Sequence, residues 1–340
     1  MSANLRAILV GCGRMSGEWI QCAQELGVEL VALVDVFPKA AEERIQEFSL
    51  SAKTYASLET ALHEVPAEVL FDCTVPSAHP EVSAAAMRAG LHVLEEKPLA
   101  LSLAEARQLV SLSSELQRVH VIMQNRRFNL GARILRQMIA DRIIGDLTTV
   151  HVDFFVAPHF GGFREQMQHV LLADMAIHPF DVARYLTGKN AVSVYCDEWN
   201  PAGSWYAAGA SVVAAFHLES DIRFSYRGSW CAQGFRTNWD AVWRLIGTEG
   251  TLFWDGADDI RAERVERKGA FLDEPETVLP SAEPDPALVR GHYSVLRQFL
   301  ADVRDGIPAE TRSADNIHSL AMVIGAIESA ESGQRVRVNG

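Results

Sequence analysis

The chain predicts an α/β protein with two domains. The first is a doubly wound parallel sheet; the second is an α/β domain with an open, mostly antiparallel sheet. Three observations carry this. Short apolar runs alternate with amphipathic ones through the first third of the sequence. That alternation stops near residue 125. Beyond residue 190 the strand-like runs follow one another across short turns. Strands separated by helices build βαβ units, whereas consecutive strands build antiparallel sheets. The expected domains are 1–124 and 125–340.

In the first domain the apolar runs are 7–10, 30–34, 69–73, 91–94 and 119–123. Amphipathic runs at 15–26, 39–48, 80–89 and 103–116 separate them and read as helices covering both faces. In the second domain a helix is expected over 130–144, ended by Gly145 as a C-cap. A strand over 147–156, a loop with Pro158, Gly161 and Gly162, and a helix over 170–186 follow. Strands are expected at 191–199, 211–218, 222–230, 241–247 and 251–254. Ile222, Phe224 and Tyr226 alternate with Arg223, Ser225 and Arg227, the period of a half-buried strand. The acidic stretch 274–286 reads as a surface loop, and helices at 286–305 and 314–332 close the chain.

Composition excludes some functions. Of 340 residues, 31 are Lys or Arg and 44 are Asp or Glu, a formal charge of −13. That balance disfavours nucleic acid, which needs a basic face. Five scattered cysteines (Cys12, Cys22, Cys73, Cys196, Cys231) contain no Cys-x-x-Cys pair, as expected of a reducing compartment. No apolar run reaches the length of a spanning helix, and strand pattern starts near Arg6, without room for a signal peptide. The expectation is a soluble, cytoplasmic protein without a membrane partner.

Gly11-Cys12-Gly13-Arg14-Met15-Ser16 lies between the first strand and the first helix. Absent side chains at Gly11 and Gly13 let backbone N–H groups approach a pyrophosphate at a helix N-terminus. Ser16 stands at the third position, which needs a small residue for helix–strand packing. Alone, such a turn is equally a structural glycine turn. Asp35 ends the second strand, where a carboxylate can accept from both ribose hydroxyls and repel a 2′-phosphate. Alone it reads as a solvated turn acid. Together they point to a dinucleotide, with NAD favoured over NADP; Lys39 keeps the second cofactor open. Thr74, Pro76, His79, Glu96, Lys97 and Asn125 complete the candidate cofactor set. They follow later strands, at the edge where open α/β sheets bind ligands. His79 has a second reading, as a cap of the helix near Pro80.

Lys97 follows the fourth expected strand. A partly desolvated lysine can take a hydroxyl proton or stabilise an alkoxide. Pro98 makes the preceding peptide bond a candidate for the cis form. Asp174, His178 and Asp181 fall on one face at helical spacing. Pro179 biases His178 away from helical geometry, so the helix starts or kinks there. Histidine is a proton acceptor near neutral pH, and a neighbouring carboxylate orients it. A buried, partnered histidine is the plainer alternative. His151, His159 and His169 lack a recognised ligand spacing, so no metal is expected.

On these residues the chain resembles the glucose–fructose oxidoreductase / inositol dehydrogenase / MocA-like (Gfo/Idh/MocA) family. The matching pieces are Gly11-Cys12-Gly13, Glu96-Lys97-Pro98, Asn125-Arg126-Arg127-Phe128 and the segment from Asp174 to Asp181. Ser16 and Ala176 depart from the pattern, which has glycine or alanine, and glycine, at those positions. The resemblance implies a Rossmann domain followed by an open-sheet domain. It also implies Lys97, Asp174, His178 and Arg127 at a pocket for a sugar, inositol or related polyol. The expected activity is NAD(P)-dependent dehydrogenation of a secondary hydroxyl. An NAD-using glycoside hydrolase and a non-catalytic dinucleotide sensor are the alternatives.

Six of seven tryptophans fall in the second domain. Packing and interfaces are their expected use, with Trp205 and Trp239 the candidates for ligand contact. The loop from His159 to His169 is expected over the pocket. An uncovered apolar sheet face predicts a homodimer or homotetramer.

Overall fold

The computed structural model describes residues 5–266, 268–280 and 283–340. Contacts divide the chain into two compact units. One runs up to Asn125 and takes in Arg290–Leu320; the other comprises Arg126–Val289 and Ala321–Gly340.

The first unit is a six-stranded parallel sheet. In chain order it contains β1 (Arg6–Val10), α1 (Ser16–Glu25), β2 (Glu29–Val34), α2 (Pro38–Phe48), β3 (Lys53–Tyr55) and α3 (Leu58–Glu64). Then come β4 (Val69–Asp72), α4 (His79–Arg88), β5 (His92–Glu95), α5 (Leu103–Glu115) and β6 (His120–Ile122). The sheet order is β3-β2-β1-β4-β5-β6. β1 and β4 are unbroken apolar runs because helices cover both faces of the sheet. Pro38 starts α2 where its missing N–H costs nothing. At α5, Ser102 is the N-cap: its Oγ accepts from the Glu105 amide and donates to the Glu105 carboxylate. The sequence reading omits β3 and α3, so Lys97 follows the fifth strand rather than the fourth. β3 is a three-residue edge strand with Lys53 and Thr54 exposed, too short to show a period.

The second unit opens with α6 (Leu130–Ala140), β7 (Leu147–Phe155), a π-helical turn over Leu171–Ala176 and α7 (Ile177–Thr187). Strands β8 (Ala191–Trp199), β9 (Ser211–Leu218), β10 (Arg223–Ser229), β11 (Val242–Gly247), β12 (Gly250–Trp254), β13 (Ile260–Arg264) and β14 (Glu276–Val278) follow. The helix expected to reach residue 144 stops at Ala140. Arg142, at φ 55°, stands where glycine usually ends a helix. The Ile143 amide bonds the Met138 carbonyl and the Arg142 amide bonds Ile139, the Schellman pattern. β14 lies inside the stretch expected to be a loop and pairs with β13.

The chain then returns to the first unit as α8 (His292–Asp305). Gly291, at φ 50°, separates α8 from a short 3₁₀ turn over Pro286–Leu288, where the sequence suggests one continuous helix. α8 packs on α1, and Phe299 meets Phe71 of β4 edge to face. Beyond α8, the Thr311 carbonyl accepts from the Ile122 amide and its hydroxyl donates back to Ile122, which covers the outer edge of β6. A single boundary near residue 125 is therefore corrected, because 290–320 serve the first unit's sheet. α9 (Ser313–Ser332) and β15 (Val336–Arg337) end the chain.

The second sheet has nine strands in the order β14-β13-β12-β11-β7-β10-β9-β8-β15. All its pairings are antiparallel except β7 with β10. Its inner face packs a core that includes Phe180, Phe216, Phe224, Trp243 and Met322. The outer face is mixed, not uniformly apolar. Arg227 of β10 pairs with Asp153 of β7, while Tyr195, Trp199 and Val213 are exposed on β8 and β9.

Candidate active site

The turn after β1 contains two glycines with different tasks. Gly11 has φ 86°, and its amide donates to the Val34 carbonyl at 2.8 Å. A Cβ there would lie 2.6 Å from the Cys73 carbonyl carbon, so only glycine lets the segments after β1 and β4 approach. A Cβ on Gly13 would meet nothing within 4 Å. Gly13 borders open space beside the start of α1, which fits a pyrophosphate. Ser16 is buried, and its hydroxyl donates to the Gly13 carbonyl at 2.6 Å. It thus does the packing work of the third small residue. Arg14 and Met15 are exposed on the turn.

Asp35 bridges two loops at the carboxyl edge of the sheet. Its Oδ2 accepts from the Cys12 amide at 2.7 Å and its Oδ1 from the Phe37 amide at 2.8 Å. A carboxylate has about four acceptor positions, so this anchoring leaves room for ribose hydroxyls. Sequence reasoning missed Arg44 of α2. Its Nη2 donates to the Gly13 carbonyl at 3.2 Å and its Nε to Cys12 at 3.4 Å, while Nη1 pairs with Glu47. No local motif announces a side chain that reaches back 31 positions to the turn.

The remaining cofactor candidates divide. Thr74 donates through both its amide and its hydroxyl to Asp72 Oδ1, at 3.0 and 2.6 Å. Pro76 is half-buried in the same loop. Asn125 Nδ2 lies 3.4 Å from His292 Nδ1. Glu96 is buried; it accepts from the Trp19 indole at 2.9 Å and from the Lys97 amide at 3.1 Å. The peptide between Lys97 and Pro98 is cis, and the Lys97 side chain is half-buried. His79 corrects both readings made for it. It is the first residue of α4, its ring is fully buried, and both ring nitrogens face protein carbonyls. It neither caps the helix with its side chain nor reaches the surface where a dinucleotide would lie.

In the second unit, His178 and Asp174 lie on either side of the junction between the π turn and α7. Pro179 explains that junction. In a regular α-helix its ring would clash with the carbonyl four residues back, and a π turn relieves the clash. The uniform helical face expected for Asp174, His178 and Asp181 is therefore broken into two registers. His178, 9% exposed, lines a cleft with Arg126, Phe154, Met175, Trp239 and Asp240. Asp174 Oδ2 accepts from Arg164 Nε at 3.1 Å, and Arg164 also lies over the rings of Phe160 and Phe163. The His159-to-His169 loop thus reaches the turn that carries Asp174.

Arg127, expected to bind substrate, is buried. Its Nε and Nη2 donate to the two oxygens of Asp181 at 2.6 and 2.7 Å. Arg126 pairs with Asp240 beside the cleft. Trp239 is on the cleft wall. Trp205 instead stacks on His159 with centroids 3.8 Å apart, and its indole donates to Pro158. Trp230, Trp243 and Trp254 are core residues. Burial pushes the thiols of Cys12, Cys22 and Cys196 up to about 12 and raises that of Cys73 well above its ordinary value, so these four are not thiolate nucleophiles. Among the described residues, no group of three His, Cys, Asp or Glu side chains could hold a metal ion.

A parallel sheet whose first crossover carries an open glycine turn, with an anchored aspartate at the end of the next strand, defines a dinucleotide-binding oxidoreductase. Residues 5–124 match the NAD-binding Rossmann fold of an oxidoreductase family, and residues 132–253 match the C-terminal domain of GFO/IDH/MocA proteins. The chain belongs to the Gfo/Idh/MocA family. It is 23% identical to a 1,5-anhydro-D-fructose reductase of Ensifer adhaerens, covering 97% of each chain. It is 24% identical to a D-apiose dehydrogenase of Paraburkholderia graminis, covering 98% of this chain and 90% of that one. The crystal structure of an Agrobacterium radiobacter oxidoreductase in complex with NAD+, L-tartaric acid and magnesium superposes with a TM-score of 0.86. There the identity is 17%, and 99% of each chain is covered. The protein is an NAD-binding oxidoreductase. No helix among the described residues is long and apolar enough to cross a membrane.

Proposed function

We propose that this enzyme transfers a hydride between NAD and a secondary hydroxyl of a sugar, inositol or related polyol. The observation that carries the reading is the position of Lys97. It lies two residues beyond the end of β5 and is fixed through its amide by Glu96, at the carboxyl edge of the sheet that holds the glycine turn. The reductase and dehydrogenase named above, both acting on sugars or sugar derivatives by name, support the substrate class.

NAD, when bound, supplies the hydride acceptor. The protein's own groups handle binding and protons. Amides around Gly11 and Gly13 and the N-terminus of α1 receive the pyrophosphate, and Asp35 receives the adenosine ribose. His178 takes the hydroxyl proton, Asp174 orients it, and Lys97 donates a hydrogen bond to the developing alkoxide. Arg127 has an indirect part, holding α7 through Asp181. Asp35 would repel a 2′-phosphate, and the nearby cations Arg44 and Lys39 are engaged by Glu47 and Glu43, which favours NAD over NADP.

A panel of sugars, inositols and sugar acids, offered with NAD and with NADP, tests this through the absorbance of reduced cofactor. Substrate-dependent NADH formation is expected. Release of sugar from a glycoside without NADH accumulation would instead identify an internal oxidation–reduction cycle. NAD binding without turnover of any substrate would identify a sensor. We also place the enzyme in the cytoplasm, because none of its five cysteines is in a disulfide. A homodimer or homotetramer through the second unit is proposed from the exposed Tyr195, Trp199 and Val213.

A further inference from the structure

His79 is fully buried, and both of its ring nitrogens face protein oxygens. Nδ1 is 2.8 Å from the Pro98 carbonyl oxygen, and Nε2 is 3.2 Å from that of Thr74. A carbonyl oxygen can only accept. Each ring nitrogen must therefore carry a hydrogen for both contacts to be hydrogen bonds. A neutral ring would turn one lone pair against a carbonyl inside the protein, at the cost of a buried unmet acceptor pair.

Two buried carboxyl groups lie beside the ring, and burial raises both above the ordinary carboxylate range. Glu95 of β5 has Oε1 3.7 Å from Nδ1. Asp72 of β4 is held by Thr74 and, at 3.4 Å, by the Ser83 hydroxyl of α4. Ser83 also donates to Glu95 Oε2 at 2.6 Å, and His120 Nε2 of β6 lies 3.1 Å from the same oxygen. Glu96 and Cys73 are the other titratable groups acting on this cluster. Burial opposes a charge on His79, but Glu95 and then Asp72 outweigh it, and the two carbonyls add to their effect, so the net direction is upward. Burial pushes His120 down to about 4 against the opposing effect of Asp72.

We propose that His79 is a positioning residue for the reaction. As an imidazolium it ties the segment after β4, at Thr74, to the segment after β5, at Pro98, and so fixes the backbone that carries Lys97. This rests on the dehydrogenase reading for its consequence, though not for the protonation state. Lys97 is bonded directly to Pro98, so slack at the Pro98 carbonyl is slack at the catalytic lysine. Misplacement of a reacting group by about 1 Å can cost on the order of 100-fold in rate.

The test begins with the wild-type protein. Ring ¹⁵N shifts are recorded on uniformly ¹⁵N-histidine-labelled enzyme, with His79→Asn used to assign the His79 signals. Both ring nitrogens should be protonated at about pH 7 and remain so near pH 8, where exposed histidines are neutral. A deprotonated nitrogen at about pH 7 overturns the proposal, whatever the enzyme's substrate. Kinetics then test the consequence. The single amide of His79→Gln can donate to one carbonyl only by facing its own oxygen to the other. It should lower kcat by about 10- to 100-fold while leaving the Kd for NAD within about twofold. The high-pH fall in kcat that follows loss of the imidazolium should be absent in His79→Gln. Wild-type kcat in His79→Gln overturns the positioning role. If that variant does not fold, the wild-type ring measurement and the pH profile of kcat still decide. A wild-type enzyme inactive on every polyol would sink the dehydrogenase reading and leave the ring measurement standing.

Discussion

Arg127 and Asp181 meet inside the second unit through two parallel hydrogen bonds, one at 2.6 Å and one at 2.7 Å, with the carboxylate fully buried. This forked geometry fixes α7, the helix that begins with Ile177 and His178, against the 3₁₀ turn that follows β6. Removing one member of a buried pair strands the other. Arg127→Met is therefore expected to lose about 3–5 kcal/mol of stability, measured by urea unfolding. Arg184, 3.9 Å from Asp181, is a weaker second partner and should keep the loss toward the lower figure. A variant of unchanged stability with a raised KM would return Arg127 to the role of a direct substrate ligand.

The two turn glycines should fail differently. Gly11→Ala places a methyl against the backbone of Cys73 at a φ that alanine avoids. It should destabilise the fold by more than about 1 kcal/mol, seen as a lower Tm. Gly13→Val has room in the unliganded protein and should melt like wild type. Its methyls would occupy the pyrophosphate space, so calorimetry should show NAD binding weakened by at least about tenfold. Equal NAD affinity in Gly13→Val and wild type would remove the turn from the cofactor site.

Lys97→Ala should separate binding from chemistry. NAD affinity is expected to stay near wild type, because the glycine turn and Asp35, which are proposed to hold the pyrophosphate and the ribose, lie on other strand ends. Turnover with the true substrate should fall by about 10²–10⁴-fold, the usual worth of acid–base assistance. Lys97→Arg keeps the charge but cannot deprotonate, and its planar fork does not reproduce a single ammonium. It should recover little. Steady-state kinetics that show full activity in either variant would exclude the assigned role.

The parts of the fold that were legible in the sequence are those with a long period or a sharp local cause. β1, β2 and β4 are buried on both faces and therefore read as apolar runs. Gly11 announces its close approach, and Asp35 its place at the end of a strand. What was hidden depends on contacts distant in sequence. β3 is an exposed three-residue edge strand. Arg142 ends α6 in a conformation usually given to glycine. Residues 290–320 rejoin the first unit because α8 packs on α1 and Thr311 pairs with Ile122. At the site, residue types were readable but commitments were not. Glu96 accepts from Trp19, His79 donates inward, and Arg127 is held by Asp181, and no local pattern encodes those partners. The π turn was half visible, since Pro179 showed that regular helix must fail near His178 without showing how.

The outer face of β8 and β9 exposes Tyr195, Trp199 and Val213 at 45, 44 and 42%. The neighbouring Arg227–Asp153 pair gives the same sheet face a polar centre. An interface there should be broken by charge placed on its apolar part. Trp199→Glu with Val213→Glu is expected to lower the mass measured by light scattering to that of one chain, with an unchanged circular dichroism spectrum. An oligomer of wild-type mass would move the interface elsewhere.

His120 gives the stability a defined response to acid. Burial lowers its folded value to about 4, whereas the unfolded chain has the ordinary value of about 6.5. Between those limits the unfolded state binds the proton and the folded state does not. Its contribution is complete above about pH 6.5 and is lost as pH falls toward about 4, a change of up to about 3 kcal/mol. Glu95 and Asp72 act in the opposite direction, since burial raises both, and the folded state takes up their protons at higher pH than the unfolded chain. The wild-type acid limb alone is therefore a mixture. His120→Gln removes the titrating ring while keeping an N–H that can reach Glu95 Oε2. The advantage of wild type over His120→Gln in urea unfolding should shrink steadily as pH falls from about 6.5 to about 4. Parallel stability curves across that interval would mean that His120 titrates alike in the folded and unfolded chains, and that the cluster beneath Lys97 is wetter than its burial implies.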